Sequence, residues 1–282
     1  MKIRPCIDIH NGRVKQIIGS TLTDPGTVSA GPGSVFLQGP GENYVSDRGA
    51  AYYAGIYKKE GLPGGHIILL NPSSDAGMYQ ADLNEARQAL KEYPEGMQIG
   101  GGITAENAPV FLSYGASHVI VTSYVFHDGK LDPGRLNRLK AAVGREKLVL
   151  DLSCRKKEDG AYYVVTDRWQ KFTDLEVNSR TLEYLAGECA EFLIHAADVE
   201  GKKMGIDLDL CRILGHFASG TGFPVVYAGG IHAYDDLDLA ASVSDGAVDV
   251  TVGSALDLFG GSLSLSELKD RAERINKNRP LS

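Results

Sequence analysis

The stretch Gly101-Gly102-Ile103 recurs as Gly229-Gly230-Ile231 in the other half of the 282-residue chain. Two further short motifs recur in the same order and at a similar separation. Three matches in one order indicate a tandem duplication of about half of the chain. The further pairs are Ile-Asp-Ile at 7–9 with Leu-Asp-Leu at 150–152, and Val-Thr-Ser at 121–123 with Val-Gly-Ser at 252–254.

Short apolar, β-branched segments alternate with amphipathic stretches along the chain, which is typical of strands alternating with helices. The predicted strands are Lys2–Ile9, His66–Leu70, Met97–Gly100, His118–Thr122, Lys147–Leu152, Phe192–Ala196, Pro224–Ala228 and Val248–Val252. The predicted helices lie near 47–60, 81–92, 104–114, 133–143, 179–188, 207–218, 234–243 and 266–276. The residues predicted to begin helices as N-caps are Thr104, Ser179 and Ser266, and those predicted to end helices are Gly61, Gly115 and Gly144.

Alternation of this kind predicts parallel strands joined by right-handed crossovers. A closed (β/α)8 TIM barrel and a doubly wound open sheet both fit the count of elements. The duplication favours the barrel, because two half-barrels join naturally into a closed ring. We therefore expect one α/β domain over residues 1–282, with half-barrels at about 1–145 and 146–276.

The segment 19–46 interrupts this regular pattern after the first strand. It holds five glycines and three prolines between Gly19 and Ser46, so we expect a long loop without regular structure. A surface insertion and an active-site lid are both open. The lid is favoured, since the loop follows the strand that carries Asp8 and barrel active sites are built from such loops.

Charge and composition argue against several classes of protein. Thirty-six acidic and 29 basic residues give a net charge of −7, with no dense basic surface of the kind that binds nucleic acid. No apolar run reaches the roughly 18–20 residues that span a membrane, and the chain starts without a leader-like segment. We therefore expect a cytoplasmic protein. The cysteines at 6, 154, 189 and 211 and the dispersed histidines match no metal-site spacing, and we expect buried thiols and no metal.

Two aspartates at repeat-related positions are the first candidates for catalysis. Asp8 and Asp151 follow apolar strand residues on opposite sides of the predicted ring. A carboxylate in such a place is costly unless it has a role. Capping or loop anchoring is one reading, but a matched pair favours general acid–base chemistry, with the two pKa values set apart by their surroundings.

Glycine pairs and hydroxyl residues after four strands are candidate phosphate-binding sites. Backbone N–H groups at a helix start attract anions, and many barrels bind phosphate after strands 7 and 8. Tight turns are the alternative reading of these glycines. The duplication favours a substrate with one phosphate at each end. The residues are Gly101, Gly102, Thr122 and Ser123 in one half, and Gly229, Gly230, Gly253 and Ser254 in the other.

Two aromatic residues have open interpretations. The single tryptophan, Trp169, has polar neighbours in the sequence, so a stacking surface and a core position are equally consistent with it. His195 closes the sixth predicted strand and is interpreted as a hydrogen-bonded structural residue. Asp198 and Glu200 follow it on the functional face.

Taken together, these residues resemble the ProFAR isomerases of histidine biosynthesis, in their eukaryote-type branch. The resemblance covers essentially residues 2–262. Its motifs are Cys-Ile-Asp-Ile-His-Asn-Gly (6–12), Gly-Gly-Gly-Ile (100–103), Val-Ile-Val-Thr-Ser (119–123), Asp-Leu-Ser-Cys-Arg-Lys (151–156), Leu-Ile-His-Ala-Ala-Asp-Val-Glu-Gly (193–201), Val-Tyr-Ala-Gly-Gly (226–230) and Gly-Ser-Ala-Leu-Asp-Leu-Phe-Gly-Gly (253–261).

The resemblance implies an Amadori rearrangement, in which the aminoaldose ProFAR becomes the aminoketose PRFAR without a metal or cofactor. The substrate is a ribonucleotide with two phosphates. Asp8 resembles the general base, Asp151 the opposite carboxylate that protonates the ring oxygen or positions the group that does, and Trp169 the residue that stacks on substrate. The acid role stays open among Asp151, Asp198 and Glu200.

This sequence departs from the common bacterial pattern where a threonine is replaced by Ala196 or Ala197, where Glu200 stands in place of an aspartate, and where Thr104 stands in place of an arginine. Two alternatives remain. One is the sister cyclase of the same pathway, which works with a glutaminase partner; the other is a non-catalytic phosphosugar-binding barrel. We expect a monomer that binds neither nucleic acid nor membrane.

Overall fold

The computed structural model describes residues 1–17, 42–167, 169–200, 202 and 204–278. Eight parallel strands form its central sheet, and each is followed in the chain by a helix. The strands are β1 Ile3–His10, β2 Gly65–Leu69, β3 Met97–Gly100, β4 Val119–Val121, β5 Leu148–Asp151, β6 Glu191–His195, β7 Val225–Ala228 and β8 Asp249–Val252.

The sheet closes on itself, because β8 pairs with both β7 and β1. In the closing pair, Ile3 lies opposite Val250 and Pro5 lies opposite Val252, with the two strands parallel. In an open sheet, two edge strands would each have one hydrogen-bonding edge without a partner strand. The predicted TIM barrel is therefore confirmed, and the doubly wound alternative is excluded.

The helices surround the barrel: α1 Ala50–Lys59, α2 Ala76–Glu92, α3 Ala108–Ser113, α4 Pro133–Val143, α5 Ser179–Ala186, α6 Leu208–Thr221, α7 Tyr234–Val243 and α8 Leu265–Lys277. Their apolar faces pack on the outside of the strands. Buried side chains such as Tyr53, Tyr57, Leu90 and Phe192 fill the layer between helices and strands.

Several predicted helix starts differ from the observed ones. Helix α5 is capped by Asn178, whose side chain accepts a hydrogen bond from the Thr181 N–H, and not by Ser179. Ser264, and not Ser266, precedes α8. The Thr104 hydroxyl accepts from Asn107 N–H, but it does so in a turn that comes before α3. In each case the prediction lies within a few residues, which is the usual uncertainty of helix ends. Gly61, Gly115 and Gly144 have positive φ angles at helix ends, as predicted.

The inside of the barrel is filled by a small apolar layer. Ile120, Val149, Leu193, Val226 and Ala228 form this cluster, and Ile68 packs against it. Because successive strand residues point to opposite faces, the neighbours of these residues point outward to the helices. The interior is therefore a packed core below the carboxyl ends of the strands.

Polar residues close the opposite, amino-terminal end of the barrel. Arg4 Nε lies 2.8 Å from Asp249 Oδ2, and Arg4 also contacts Glu191 at 3.3 Å. Gln98 donates to Glu191 at 2.6 Å. Burial raises the pKa of Glu191, an effect that Arg4 opposes. This network joins four strands at the end remote from the predicted active site.

Three groups of antiparallel strands lie outside the parallel barrel, and the smallest is the pair Phe126–His127 and Lys130–Leu131 after β4. Arg13–Ile17 folds back on β1 and pairs with Glu42–Val45. The predicted loop at 19–46 lies mostly outside the described residues, but its end differs from the prediction: Glu42–Val45 is a strand. This segment lies beyond the last Gly-Pro-Gly and includes Tyr and Val, which favour strands. After β5, Cys154–Lys156, Tyr162–Thr166 and Lys171–Glu176 form a three-stranded sheet.

All four cysteines are buried and free, as expected. Among the described residues, no helix is both long and apolar enough to cross a membrane.

Candidate active site

A cavity of about 390 Å³ lies at the carboxyl ends of the barrel strands. Residues from the ends of β1 to β8 line it. Of the site residues predicted from sequence, twelve are in its wall and the candidate acid Asp198 is not. The twelve are Asp8, Gly101, Gly102, Thr122, Ser123, Asp151, Trp169, Glu200, Gly229, Gly230, Gly253 and Ser254.

Asp8 lies in β1, between Ile68 of β2 and Lys15 of the antiparallel extension. Burial raises the pKa of its carboxyl group to about 7, and the negative charge of Glu200 adds to the increase, whereas His195 opposes it. A carboxyl group with this pKa is partly ionised at neutral pH. It can therefore accept a proton and release it again, as a general base must.

Asp151 ends β5, and its pKa is shifted in the opposite direction, below its ordinary value. Its Oδ1 accepts hydrogen bonds from the Ser153 backbone N–H at 2.9 Å and from Ser153 Oγ at 2.6 Å. Burial alone would raise its pKa, but His195 and the hydrogen bonds from Ser153 lower it. Asp151 is therefore ionised where Asp8 is only partly so, and the two repeat-related aspartates differ in protonation.

His195, the last residue of β6, lies beside Asp151. Its Nδ1 is 3.5 Å from Asp151 Oδ1 and 3.2 Å from Ser153 Oγ. Burial lowers the pKa of the imidazole, but Asp151 and then Glu200 and Asp8 raise it above its ordinary value. The three carboxylates thus favour a charged His195.

Trp169 lies in the turn between the second and third strands of the sheet that follows β5. Its ring centre is 5.6 Å from that of His195, with the two planes tilted by 39°. Its φ angle is +67°, a left-handed conformation that is costly for a large side chain. The turn therefore holds the indole in the cavity wall, and Trp169 is not a residue of the helix–strand core.

Glu200 and Asp198 separate at this site. Glu200 lines the cavity, and burial raises its pKa while His195 opposes the increase. Asp198 accepts from Arg155 Nε at 2.8 Å and from the Lys156 N–H at 2.9 Å, and it is not in the cavity wall. Asp198 therefore does not lie where an acid in this cavity would have to lie. Its carboxylate instead connects the loop after β6 to the strand Cys154–Lys156.

Two of the cavity glycines have a steric requirement. Gly101 has a φ of +99°, and a Cβ there would lie 2.1 Å from Leu69 O. Gly230 has a φ of +78°, and a Cβ there would lie 2.0 Å from Gly205 O. The backbone approaches its neighbour closely at both places, in each half of the barrel. Tight packing therefore accounts for these glycines, and it also leaves backbone atoms open to the cavity.

A family model described as "Histidine biosynthesis protein" matches residues 2–263. The chain belongs to this family.

Curated relatives agree with this assignment. A chloroplastic protein of Medicago truncatula is 50% identical over 95% of this chain and 80% of its own length. A protein of Yarrowia lipolytica is 46% identical over 98% of this chain and 99% of its own length, and one of Saccharomyces cerevisiae is 44% identical over 92% of both. All three are named as 1-(5-phosphoribosyl)-5-((5-phosphoribosylamino)methylideneamino)imidazole-4-carboxamide isomerases.

The structure adds cavity residues that the sequence did not single out for this member of the histidine biosynthesis family. His66 of β2 is buried in the wall, its ring centre 6.0 Å from that of His195. Burial lowers its pKa to about 3, helped by the charge of His195, so it is neutral. Thr251 of β8 has a buried Oγ1 without a hydrogen-bond partner in the described part of the chain. Gln16 lines the wall near Gly253.

A polar residue inside an apolar strand is the only sequence signal for such positions. His66 stands in Gly-His-Ile-Ile-Leu and Thr251 in Asp-Val-Thr-Val. Ser153 lies in the motif Asp-Leu-Ser-Cys-Arg-Lys (151–156), which does not itself indicate the contact of Ser153 with Asp151.

Among the described residues that line the cavity there is neither a candidate metal site nor a Lys or Arg side chain. No cluster of three or more His, Cys, Asp or Glu residues suited to a metal ion occurs among the described residues. Of the described residues that line the cavity, none is Lys or Arg. Anionic groups bound in this wall would be held by backbone N–H groups and hydroxyls, such as those of Thr122, Ser123 and Ser254.

Proposed function

We propose that this chain catalyses the Amadori rearrangement of ProFAR to PRFAR in histidine biosynthesis. The observation that carries the proposal is the cavity pair of Asp8, with a pKa of about 7, and Asp151, which is ionised and hydrogen-bonded. Relatives that are 44–50% identical over nearly the whole chain are named as isomerases of this compound. The reaction moves protons within one molecule, and the wall offers groups at different stages of protonation.

Asp8 acts as the base in this proposal. After the ribose ring opens to a Schiff base, the carboxylate of Asp8 removes the proton from C2. The C–H electrons form the C1–C2 double bond, and the π electrons of the C1–N double bond return to nitrogen. The protonated Asp8 then returns a proton to C1 as the C2 hydroxyl becomes a ketone. A pKa near 7 suits both steps, because the same group must gain and lose a proton at neutral pH.

The two halves of the barrel hold the two phosphates of the substrate. One set comprises Gly101, Gly102, Thr122 and Ser123, after β3 and β4; the other comprises Gly229, Gly230, Gly253 and Ser254, after β7 and β8. Their equivalence under the duplication into half-barrels supports a substrate with a phosphate at each end. The indole of Trp169 provides a flat surface between them for an imidazole or ribose ring.

The two alternatives are less well supported. The names of the relatives favour the isomerase over the sister cyclase. A barrel that only binds phosphosugars gains nothing from buried carboxylates of unequal pKa beside an anion, because each carboxylate weakens anion binding.

A cytoplasmic location and a monomeric state are part of the proposal. The plant relative is named as a chloroplastic protein. Size-exclusion chromatography with light scattering tests the monomer, whose mass is 30.3 kDa.

A coupled absorbance assay tests the activity. The purified chain is incubated with ProFAR and a cyclase–glutaminase that consumes PRFAR. We expect turnover with ProFAR that is lost without this chain. Formation of the cyclase product from PRFAR by this chain itself would favour the cyclase. If neither compound is converted, the non-catalytic phosphosugar-binding barrel is the remaining interpretation.

A further inference from the structure

His195 has hydrogen-bonding contacts at Nδ1, whereas no such contact of Nε2 with the described part of the chain is found. Its Nδ1 faces Ser153 Oγ at 3.2 Å and Asp151 Oδ1 at 3.5 Å. Since Nε2 lies on the other side of the ring, it is directed away from Asp151. The side chain is 14% exposed and lines the cavity, so the imidazole is accessible to a ligand bound there.

Asp151 is poorly placed to donate a proton itself. Its Oδ1 accepts two hydrogen bonds from Ser153 and faces His195. A carboxylate that accepts on this scale is held in its ionised form. The same contacts fix the orientation of a neighbouring imidazole, which is the usual function of a carboxylate beside a catalytic histidine.

We propose that His195, oriented by Ser153 and Asp151, is the acid that protonates the ribose ring oxygen of the substrate. This inference rests on the proposed isomerase function. The Nε2–H group of His195 gives its proton to the ring oxygen of the substrate as the C1–O bond breaks. The lone pair on the substrate nitrogen attached to C1 forms the C1–N double bond. The proton lost later from the C2 hydroxyl goes to solvent, and His195 regains a proton from solvent, so the protons balance. Asp151 and Ser153 are positioning residues.

The groups around His195 favour its charged form. Asp151 comes from β5, Asp8 from β1 and Glu200 from the loop after β6, and all three raise its pKa. His66, from β2, is neutral, so it adds little opposing charge. The charge of His195 is gained below its folded pKa, which lies above 6.5, and is lost as the pH rises through that value. Activity that needs the acid is lost in the same direction.

The first test compares pH profiles of kcat/KM with ProFAR. In the wild type, we expect activity to fall at high pH as His195 loses its proton. In His195→Gln, turnover falls by roughly 10²–10⁴ and the high-pH decrease disappears. In Asp151→Asn, the imidazole loses its ionised partner, so its pKa drops and the decrease moves to lower pH. Ser153→Ala moves it in the same direction by less.

The second test separates the acid from the base. PRFAR has an open chain, so exchange of its C1 hydrogen with D2O needs Asp8 but no protonation of a ring oxygen. His195→Gln is expected to keep this exchange within about tenfold of the wild type, whereas Asp8→Asn loses it. If the wild type shows neither turnover nor exchange, the proposed function has failed, and not the acid assignment alone.

His216→Gln, on the exposed face of α6, is the matched control and should change neither profile. The inference is overturned if His195→Gln folds, keeps turnover within tenfold and retains the high-pH decrease. If His195→Gln retains turnover and the high-pH decrease while Glu200→Gln loses both, the acid is Glu200 and not His195. If His195→Gln does not fold, Asp151→Asn decides: an unmoved decrease at high pH contradicts the proposal.

Discussion

Tyr162 Oη donates a hydrogen bond of 2.6 Å to Asp207 Oδ1. The same carboxylate oxygen accepts from the Leu210 N–H at 3.1 Å and so caps helix α6. Tyr162 belongs to the three-stranded sheet that carries Trp169. One contact thus joins the sheet beside the cavity to a helix of the outer ring, and it connects the position of Trp169 to the stability of the barrel.

Tyr162→Phe is expected to destabilise the protein by about 1.5–3 kcal/mol, because a partly buried hydrogen bond to a charged acceptor is lost. Tyr163→Phe is the matched control, since Tyr163 Oη meets Asp159 at 3.2 Å in an exposed position and its loss should have little effect. Chemical denaturation gives the free energy of unfolding of each variant. Equal effects of the two substitutions would contradict the role of the Asp207 contact.

Glu200→Gln is expected to move the low-pH decrease in kcat/KM. In the wild type, Asp8 must be ionised, so activity falls as the pH drops below about 7. Glu200 raises the pKa of Asp8, and its neutralisation lowers that pKa, so the base stays ionised to lower pH. Glu183→Gln, on the exposed side of α5, is the control. A low-pH decrease that stays in place in Glu200→Gln would contradict the coupling.

Substitution of the two neighbouring glycines after β3 should have unequal effects. Gly102→Ala places its Cβ 3.4 Å from Tyr79 Oη, an ordinary contact, so we expect only about 1–3 kcal/mol of backbone strain. In Gly101→Ala the Cβ would lie 2.1 Å from Leu69 O, so the backbone must move and the loss is larger. Thermal unfolding ranks the two variants by stability. A Gly101→Ala variant more stable than Gly102→Ala would contradict the close approach of Gly101 to Leu69 O.

Binding of a bisphosphate should change the fluorescence of Trp169. It is the only tryptophan of the chain and lies in the cavity wall, so ligand stacking alters its surroundings directly. Titration with PRFAR should give a saturable change in the wild type, and Trp169→Phe should bind more weakly, by about 0.5–1.5 kcal/mol of stacking energy. An unchanged spectrum at saturating ligand would contradict stacking.

The barrel could be predicted because its signals are local or repeated. The alternation of apolar strands and helices fixed the class, and the recurrence around Gly102 and Gly230 favoured closure. Helix α2 shows where this fails. It begins at Ala76, capped by the Asp75 side chain, whereas the apolar periodicity starts only near residue 81. A cap and a glycine-containing first turn leave little periodic pattern to detect.

The predicted site residues other than Asp198 line the cavity, yet the contacts between them could not be predicted from the sequence. Asp8 and Asp151 look alike in their motifs, and only burial, Glu200 and His195 separate their pKa values. The sequence favours a structural role for His195, because its contacts with Ser153 and Asp151 join residues more than 40 positions apart and leave no local pattern. Asp198 was a candidate acid until the position of Arg155 was known.

The isomerase proposal is tested most directly by ProFAR turnover in the wild type and in Asp8→Asn. The substitution keeps the shape of the side chain and removes the base. Asp270→Asn, on the exposed face of α8, is the control. We predict that the wild type and the control convert ProFAR to PRFAR, while Asp8→Asn is slower by roughly 10²–10⁴. Turnover by folded Asp8→Asn at the wild-type rate would contradict the account.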